Sequence, residues 1–291
     1  LDRCDIVCLL VEAGVWTEFE QDTVELVNEK KIPLIIILNK NDLYKADSAC
    51  LQRLNKHTHQ VLSCSSLDRA GRDVFLAGFK EALIQHAPED YLQPPPLAED
   101  LLSPGSHAVF IVPIDIEAPK GRLILPQVQS IRAVLDADAA VSVVKEHHYA
   151  AFLQGLKSLP DLVICDSQVV DLMVRETPKQ VKVTTFSILF ARFKGDLSGA
   201  ARGAGAIHRL KNGDKVLIAE ACTHHPAEDD IGRVKIPAWI EAYTGKTLQW
   251  TVASGFDYPE ALKEYSLIIH CGGCMLNRRA MLSRMQQADQ T

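Results

Sequence analysis

Apolar residues along this chain fall into short runs of strand length, separated by stretches whose apolar positions recur at helical spacing. Residues 6–11 and 33–38 are continuous Val/Ile/Leu-rich runs, and the second is bounded by a proline and a polar turn, the pattern of a strand buried on both faces. Between them Thr17 and Glu20 form a capping box for a helix running to about residue 30. A helix over 48–56, a strand over 61–64 and a helix over 72–85 complete an alternating series, which implies a parallel sheet. Pro94-Pro95-Pro96 then breaks the pattern within a polar segment, the clearest boundary in the chain.

The alternation resumes with strands expected at 108–112, 140–144, 162–165 and 181–185 and helices at 126–135, 149–156 and 168–174. Beyond residue 186, Gly195, Gly199, Gly203 and Gly205 punctuate a small-residue segment. No strand leads into the spacing a dinucleotide fingerprint requires, so the segment reads as close helix packing and turns. Strands follow at 215–219, 248–252 and 267–269, with helices at 237–243 and 277–288. The fold class is therefore α/β, arranged as three small parallel-sheet domains over residues 1–92, 104–185 and 186–291. The chain opens at Leu1 and enters a strand almost at once, which reads as a fragment starting inside a domain.

With 47% hydrophobic and 23% charged residues the chain has the composition of a globular protein. A formal charge of −6 argues against nucleic acid as a partner, because phosphate contact needs a basic face. Apolar runs are strand-sized, so no membrane association is expected. Eight cysteines in a chain with this much core need not be staples, and their clustering points to metal and to a reducing cytoplasm. Cys4, Cys8, Cys50, Cys64 and Cys165 stand alone and read as buried core residues; His147-His148 reads as a loop pair.

Two constellations carry chemistry. Asn39-Lys40-Asn41-Asp42 follows a strand directly, where a carboxylate can accept both hydrogen bonds that guanine offers and adenine does not. About twenty residues on, another strand ends in Ser65-Ser66-Leu67 and leads to Gly71 and a helix. The second constellation is Cys222-Thr223-His224 together with His270-Cys271-Gly272-Gly273-Cys274. Both segments follow expected strands, the end of an open α/β sheet where ligands bind. The set Cys222, His224, Cys271 and Cys274 suits tetrahedral zinc, and three thiolates with an exchangeable fourth ligand suit a [4Fe–4S] cluster equally well.

The first constellation resembles the second half of a translation-factor-type GTPase domain, with N-K-x-D followed by S-A-x, here with Ser66 in place of the alanine. That resemblance implies guanine-reading roles for Asn39, Lys40, Asp42, Ser65, Ser66 and Leu67, and assigns the backbone N–H of residue 66 to the guanine oxygen. No G-x-x-x-x-G-K-S/T occurs, and no D-x-x-G stands ahead of the strand at 6–11 as a switch motif would, so no catalytic residue is expected for GTP hydrolysis in this chain. The C-x-H…H-C-x-x-C pattern and the segment 222–237 (CTHHPAEDDIGRVKIP) resemble the [FeFe]-hydrogenase maturation GTPases, the HydF family. The resemblance implies a GTPase domain, a dimerisation domain and a cluster domain. It also implies a [4Fe–4S] cluster on Cys222, Cys271 and Cys274, with His224 or His270 as a labile fourth ligand or supporting donor, and His225 more peripheral. A diiron precursor would be the cargo, received from radical-SAM maturases and passed to the apo-[FeFe]-hydrogenase, with a homodimer formed through the middle domain. A zinc-stabilised GTP-binding module and a docking protein with no cluster are the alternatives.

Overall fold

A computed structural model of the protein describes residues 1–46, 48–58, 60–114, 120–220, 231–255, 258–259, 261–271, 273 and 276–289, with the backbone alone at 48, 49, 53 and 90. The chain divides into two compact units, Leu1–Pro94 and Pro95–Thr291.

The first unit runs β1 (Val7–Glu12), α1 (Glu18–Glu29), β2 (Leu34–Asn39), α2 (Ser48–Leu54), β3 (Gln60–Ser63), α3 (Arg72–His86) and the single turn α4 (Glu89–Leu92). Its sheet is parallel in the order β1-β2-β3. The uninterrupted apolar run of β2 follows from its central place. Leu34, Ile36 and Leu38 face Val24 and Val27 of α1 and Leu54 of α2, while Ile35 and Ile37 face Phe75, Phe79 and Ala82 of α3. Each of these five side chains is buried, a contribution of about 1.5–3 kcal/mol apiece. The expected start of α1 is present: Thr17 N–H donates to the Glu20 carboxylate at 2.7 Å.

The second unit holds two parallel sheets. The first is built from β4 (His107–Ile111), α5 (Leu125–Asp136), β5 (Ala140–Val144), α6 (Tyr149–Gly155), β6 (Leu162–Cys165), α7 (Val170–Glu176), β7 (Lys182–Thr185) and α8 (Phe186–Lys194), with strand order β5-β4-β6-β7. The second follows α9 (Leu197–Ala204) and comprises β8 (Lys215–Ala219), α10 (Ile236–Thr244), β9 (Gln249–Ala253), β10 (Leu267–His270) and α11 (Arg278–Asp289), in the order β10-β8-β9. A π-helical turn, Ile231–Lys235, leads into α10.

The sequence pattern placed Phe186 at the start of the third stretch. In the structure α8 instead packs on the middle sheet, with Phe186, Leu189 and Phe190 buried against Phe110, Leu162 and Ile164. Thr185 Oγ1 accepts from Ile188 N–H at 3.1 Å and starts the helix directly off β7. Gly195 ends α8, and a Cβ there would lie 3.0 Å from Met285 Sδ of α11, so the expected close helix packing is present.

Cys165 is fully buried, and burial pushes its thiol up to about 12. Cys8 differs from the buried reading: it is exposed, because β1 is an edge strand whose outer positions alternate toward solvent. Among the described residues no helix is long and apolar enough to cross a membrane.

Candidate functional site at the ends of two neighbouring strands

β8 and β10 are adjacent and parallel, with Ala219 paired to His270. The ladder extends one step further, since Cys271 N–H donates to Ala219 O at 3.1 Å. Two segments distant in sequence, 220–230 and 271–276, therefore leave the same end of the sheet from neighbouring strands. Cys222, His224, His225 and Cys274 lie outside the described residues; Cys271 and His270 are described, at the strand end where the sequence placed them.

Both flanks of segment 221–230 are fixed. Glu220 N–H donates to Ala253 O at 2.8 Å, which holds the exit of β8 against β9. The buried Glu220 carboxylate accepts from Arg233 Nε at 2.9 Å and from Arg233 Nη2 at 2.7 Å, a two-pronged ion pair between the two flanks. Ser254 Oγ joins it, donating to Glu220 at 3.0 Å and accepting from Arg233 Nη2 at 2.8 Å. The residues on either side of segment 221–230 are thus joined by one charged clamp.

The His270 ring is engaged at both nitrogens. Its Nδ1–H donates to Cys271 O at 2.9 Å, because a carbonyl can only accept, and Nε2 then accepts from Arg284 Nη1 at 3.3 Å. Burial holds the imidazole below its ordinary range, the Arg284 charge adds in the same direction, and the bond to Cys271 O opposes both. Arg284 is itself buried, bonded to Gly255 O and stacked 5.1 Å from the Tyr258 ring centroid. His270 and Arg284 also border a cavity of about 610 Å³ between α9, β10 and α11.

The turn after Cys271 is gripped from α8. Lys194, buried at the last turn of that helix, donates from Nζ to Gly273 O at 3.0 Å and to Leu276 O at 2.7 Å. Gly273 has φ +66°, and a Cβ on it would lie 2.1 Å from Met281 Cε, so this position requires glycine both for its conformation and for its contact. Asn277 Oδ1 then accepts from Ala280 N–H at 2.9 Å and opens α11.

Among the described residues no group of three or more His, Cys, Asp or Glu side chains could hold a metal ion; three of the four zinc candidates lie outside them. The chemistry of what is described fits a soft, thiolate-held group: a half-buried thiol at a sheet edge, beside a turn whose carbonyls at 273 and 276 are committed to Lys194 rather than turned to a hard cation. The imidazole of His270, as placed, supports the Cys271 carbonyl and Arg284.

In the first unit the two loops from which the sequence leads one to expect guanine contacts meet. Asn39 Oδ1 accepts from Ser66 N–H at 3.1 Å and from Ser66 Oγ at 3.0 Å, and Asn41 N–H donates to Cys64 O at 3.1 Å. Leu67 N–H donates to Ser65 Oγ at 3.2 Å, which shapes the second loop. Lys40 adopts φ +61° and pairs with Glu12 at the end of β1. Asp42 is exposed. The N–H that the resemblance assigns to the base oxygen is thus taken by Asn39, so a base must share or displace that bond.

Lys194, Glu220, Arg233 and Arg284 were not singled out by sequence. The one available signal was Glu220, a carboxylate directly after the apolar run of β8; a lysine or arginine that ends a helix or follows a loop looks like a solvated charge.

A parallel α/β protein with an imidazole and a thiol at the end of one strand of its last sheet is the class that fold and site define together. Two family models match the chain: the hydrogen maturase F dimerization domain over residues 97–195, and the hydrogen maturase F tetramerization domain over residues 198–291. The chain belongs to the hydrogen maturase F family, and its role lies in hydrogenase maturation. A comparison with curated proteins finds no match. Both matched domains are self-association domains; tetramerization is an addition to the homodimer expected from the sequence.

Proposed function

We propose that this protein is a scaffold that carries a [4Fe–4S] cluster on Cys222, Cys271 and Cys274 and, next to it, the diiron precursor of the hydrogenase active site as cargo. Radical-SAM maturases would deliver the precursor and the apo-[FeFe]-hydrogenase would receive it. The observation that carries the reading is the in-register pairing of Ala219 with His270, which starts the two donor segments side by side. When bound, the cluster supplies an iron with an exchangeable position.

The chain's own residues do the rest. Glu220 and Arg233 fix the ends of the segment holding Cys222 and His224, Lys194 fixes the turn between Cys271 and Cys274, and His270 braces the Cys271 carbonyl. The loops of Asn39 to Asp42 and Ser65 to Leu67 serve as the base-reading part of a GTP site.

Anaerobic reconstitution with iron and sulfide tests the cluster. Cys→Ser at 222, 271 or 274 is expected to abolish the EPR signal of the reduced cluster, while His224→Ala and His270→Ala keep it with shifted g-values. Stoichiometric zinc with no iron uptake by the unaltered protein would replace this reading with a structural zinc site.

A further inference from the structure

Lys194 is only 8% exposed, and its niche is lined by the Phe190 ring, 5.3 Å from Nζ, and by the turn at 273–276. A buried ammonium is a costly way to join two helices, and apolar side chains of similar volume serve that purpose as well or better. The apolar join is already present, where Gly195 at the end of α8 lies against Met281 and Met285 of α11. What the ammonium adds is direction: it draws the carbonyls of Gly273 and Leu276, which flank position 274 in sequence, toward a single atom. The helix that carries Lys194 is anchored elsewhere, through Phe186, Leu189 and Phe190 in the core of the middle sheet. It belongs to the segment matched by the dimerization domain, while residues 271–276 belong to the segment matched by the tetramerization domain.

We propose that Lys194 is a positioning residue for the cysteine turn, through which the dimerization domain fixes the donor geometry of the neighbouring domain. The proposal rests on the cluster reading above only for its purpose; the restraint on the turn is independent of it. Arg278 offers the comparison, a second cationic tie between α8 and α11. It joins the same two helices through Phe193 O at 2.9 Å.

The test uses the full chain with Lys194→Met, Lys194→Gln and Arg278→Met, and two measurements. In apo-protein, amide exchange of residues 271–277 is expected to quicken about tenfold in Lys194→Met, since the carbonyls of Gly273 and Leu276 both lose the ammonium and the bond from Leu276 N–H to Gly273 O, at 3.1 Å, is left to close the turn between them. Lys194→Gln keeps an N–H donor, covers the case in which methionine is not tolerated, and is expected to show a smaller rise. Arg278→Met is expected to leave exchange over 271–277 unchanged. After anaerobic reconstitution, Lys194→Met is expected to retain less than half the iron of the unaltered protein, with altered g-values for the remainder. Unchanged exchange and iron in both Lys194 variants would overturn the proposal, as would Arg278→Met reproducing both effects. Failure of the unaltered protein to take up iron defeats the cluster reading instead, and the exchange comparison then decides the role of Lys194 by itself.

Discussion

Replacing Gly273 with alanine perturbs the cysteine turn in a way whose size can be worked out from the structure. The backbone there has φ +66°, and a residue with a Cβ pays about 1–2 kcal/mol in that left-handed region. The new methyl would also stand 2.1 Å from Met281 Cε, closer than any real contact. Met281 is a flexible side chain, but it is only 3% exposed, so its methyl moves only by displacing neighbours. Overpacking of this kind costs about 1–3 kcal/mol. The two effects separate in a double-mutant cycle. Gly273→Ala alone is expected to destabilise the turn and α11 by about 2–5 kcal/mol, and by only about 1–2 kcal/mol when Met281 is already alanine. Opening free energies from amide exchange across α11 measure the difference locally, which matters because a multidomain chain has no single unfolding free energy. An equal cost in both backgrounds would refute the clash with Met281; a negligible cost in both would refute the left-handed turn itself.

Two further outcomes follow from charged groups. Arg233→Met leaves the Glu220 carboxylate, 10% exposed, with Ser254 but without its guanidinium, and is expected to cost about 2–3 kcal/mol, at the lower end for buried pairs because Arg233 is one-third exposed. Adding Glu220→Gln should recover much of that loss in thermal melting, and a double variant as unstable as the single one would contradict the ion-pair account. Glu241 accepts from Trp250 Nε1 at 3.0 Å and from Leu248 N–H at 3.2 Å, and the Trp250 bond, ahead of the backbone one, holds its carboxyl below the ordinary glutamate value. A depressed folded-state carboxyl stabilises above its unfolded value and loses that contribution as pH falls through the folded one. Trp250 emission is therefore expected to change with a midpoint below the ordinary glutamate range and to lose that transition in Glu241→Gln; a midpoint at or above the ordinary value would count against the bond.

Much of the architecture was legible because strands buried on both faces announce themselves. The run 34–38 could be placed from sequence because both faces of β2 are covered, so no polar residue interrupts it. Helix boundaries were legible where a local signal existed, as at Thr17 and Glu20. The allegiance of α8 was not legible, since its apolar stripe fits either of two sheets and only packing chooses between them. At the site, the unusual residue types drew attention to Cys271 and His270, and their strand ends are where the pattern put them. The supporting groups were invisible for the opposite reason. Lys194 and Arg284 are common residues at common helix positions, and their burial is a property of distant neighbours that no local window contains.

The pairing of Ala219 with His270 also sets an order of events. The partners are roughly fifty residues apart, and a contact of that span forms only after a sizeable loop has closed. During synthesis the segment with Cys222 leaves the ribosome well before the strand that brings Cys271 alongside it. Cys222 is therefore made before Cys271 and Cys274, while β8 has no β10 to pair with. On the cluster reading proposed above, metal capture by the newly made chain would be deferred until residues 267–270 have zipped onto 216–219, and a complete donor set would itself report that the last sheet has folded.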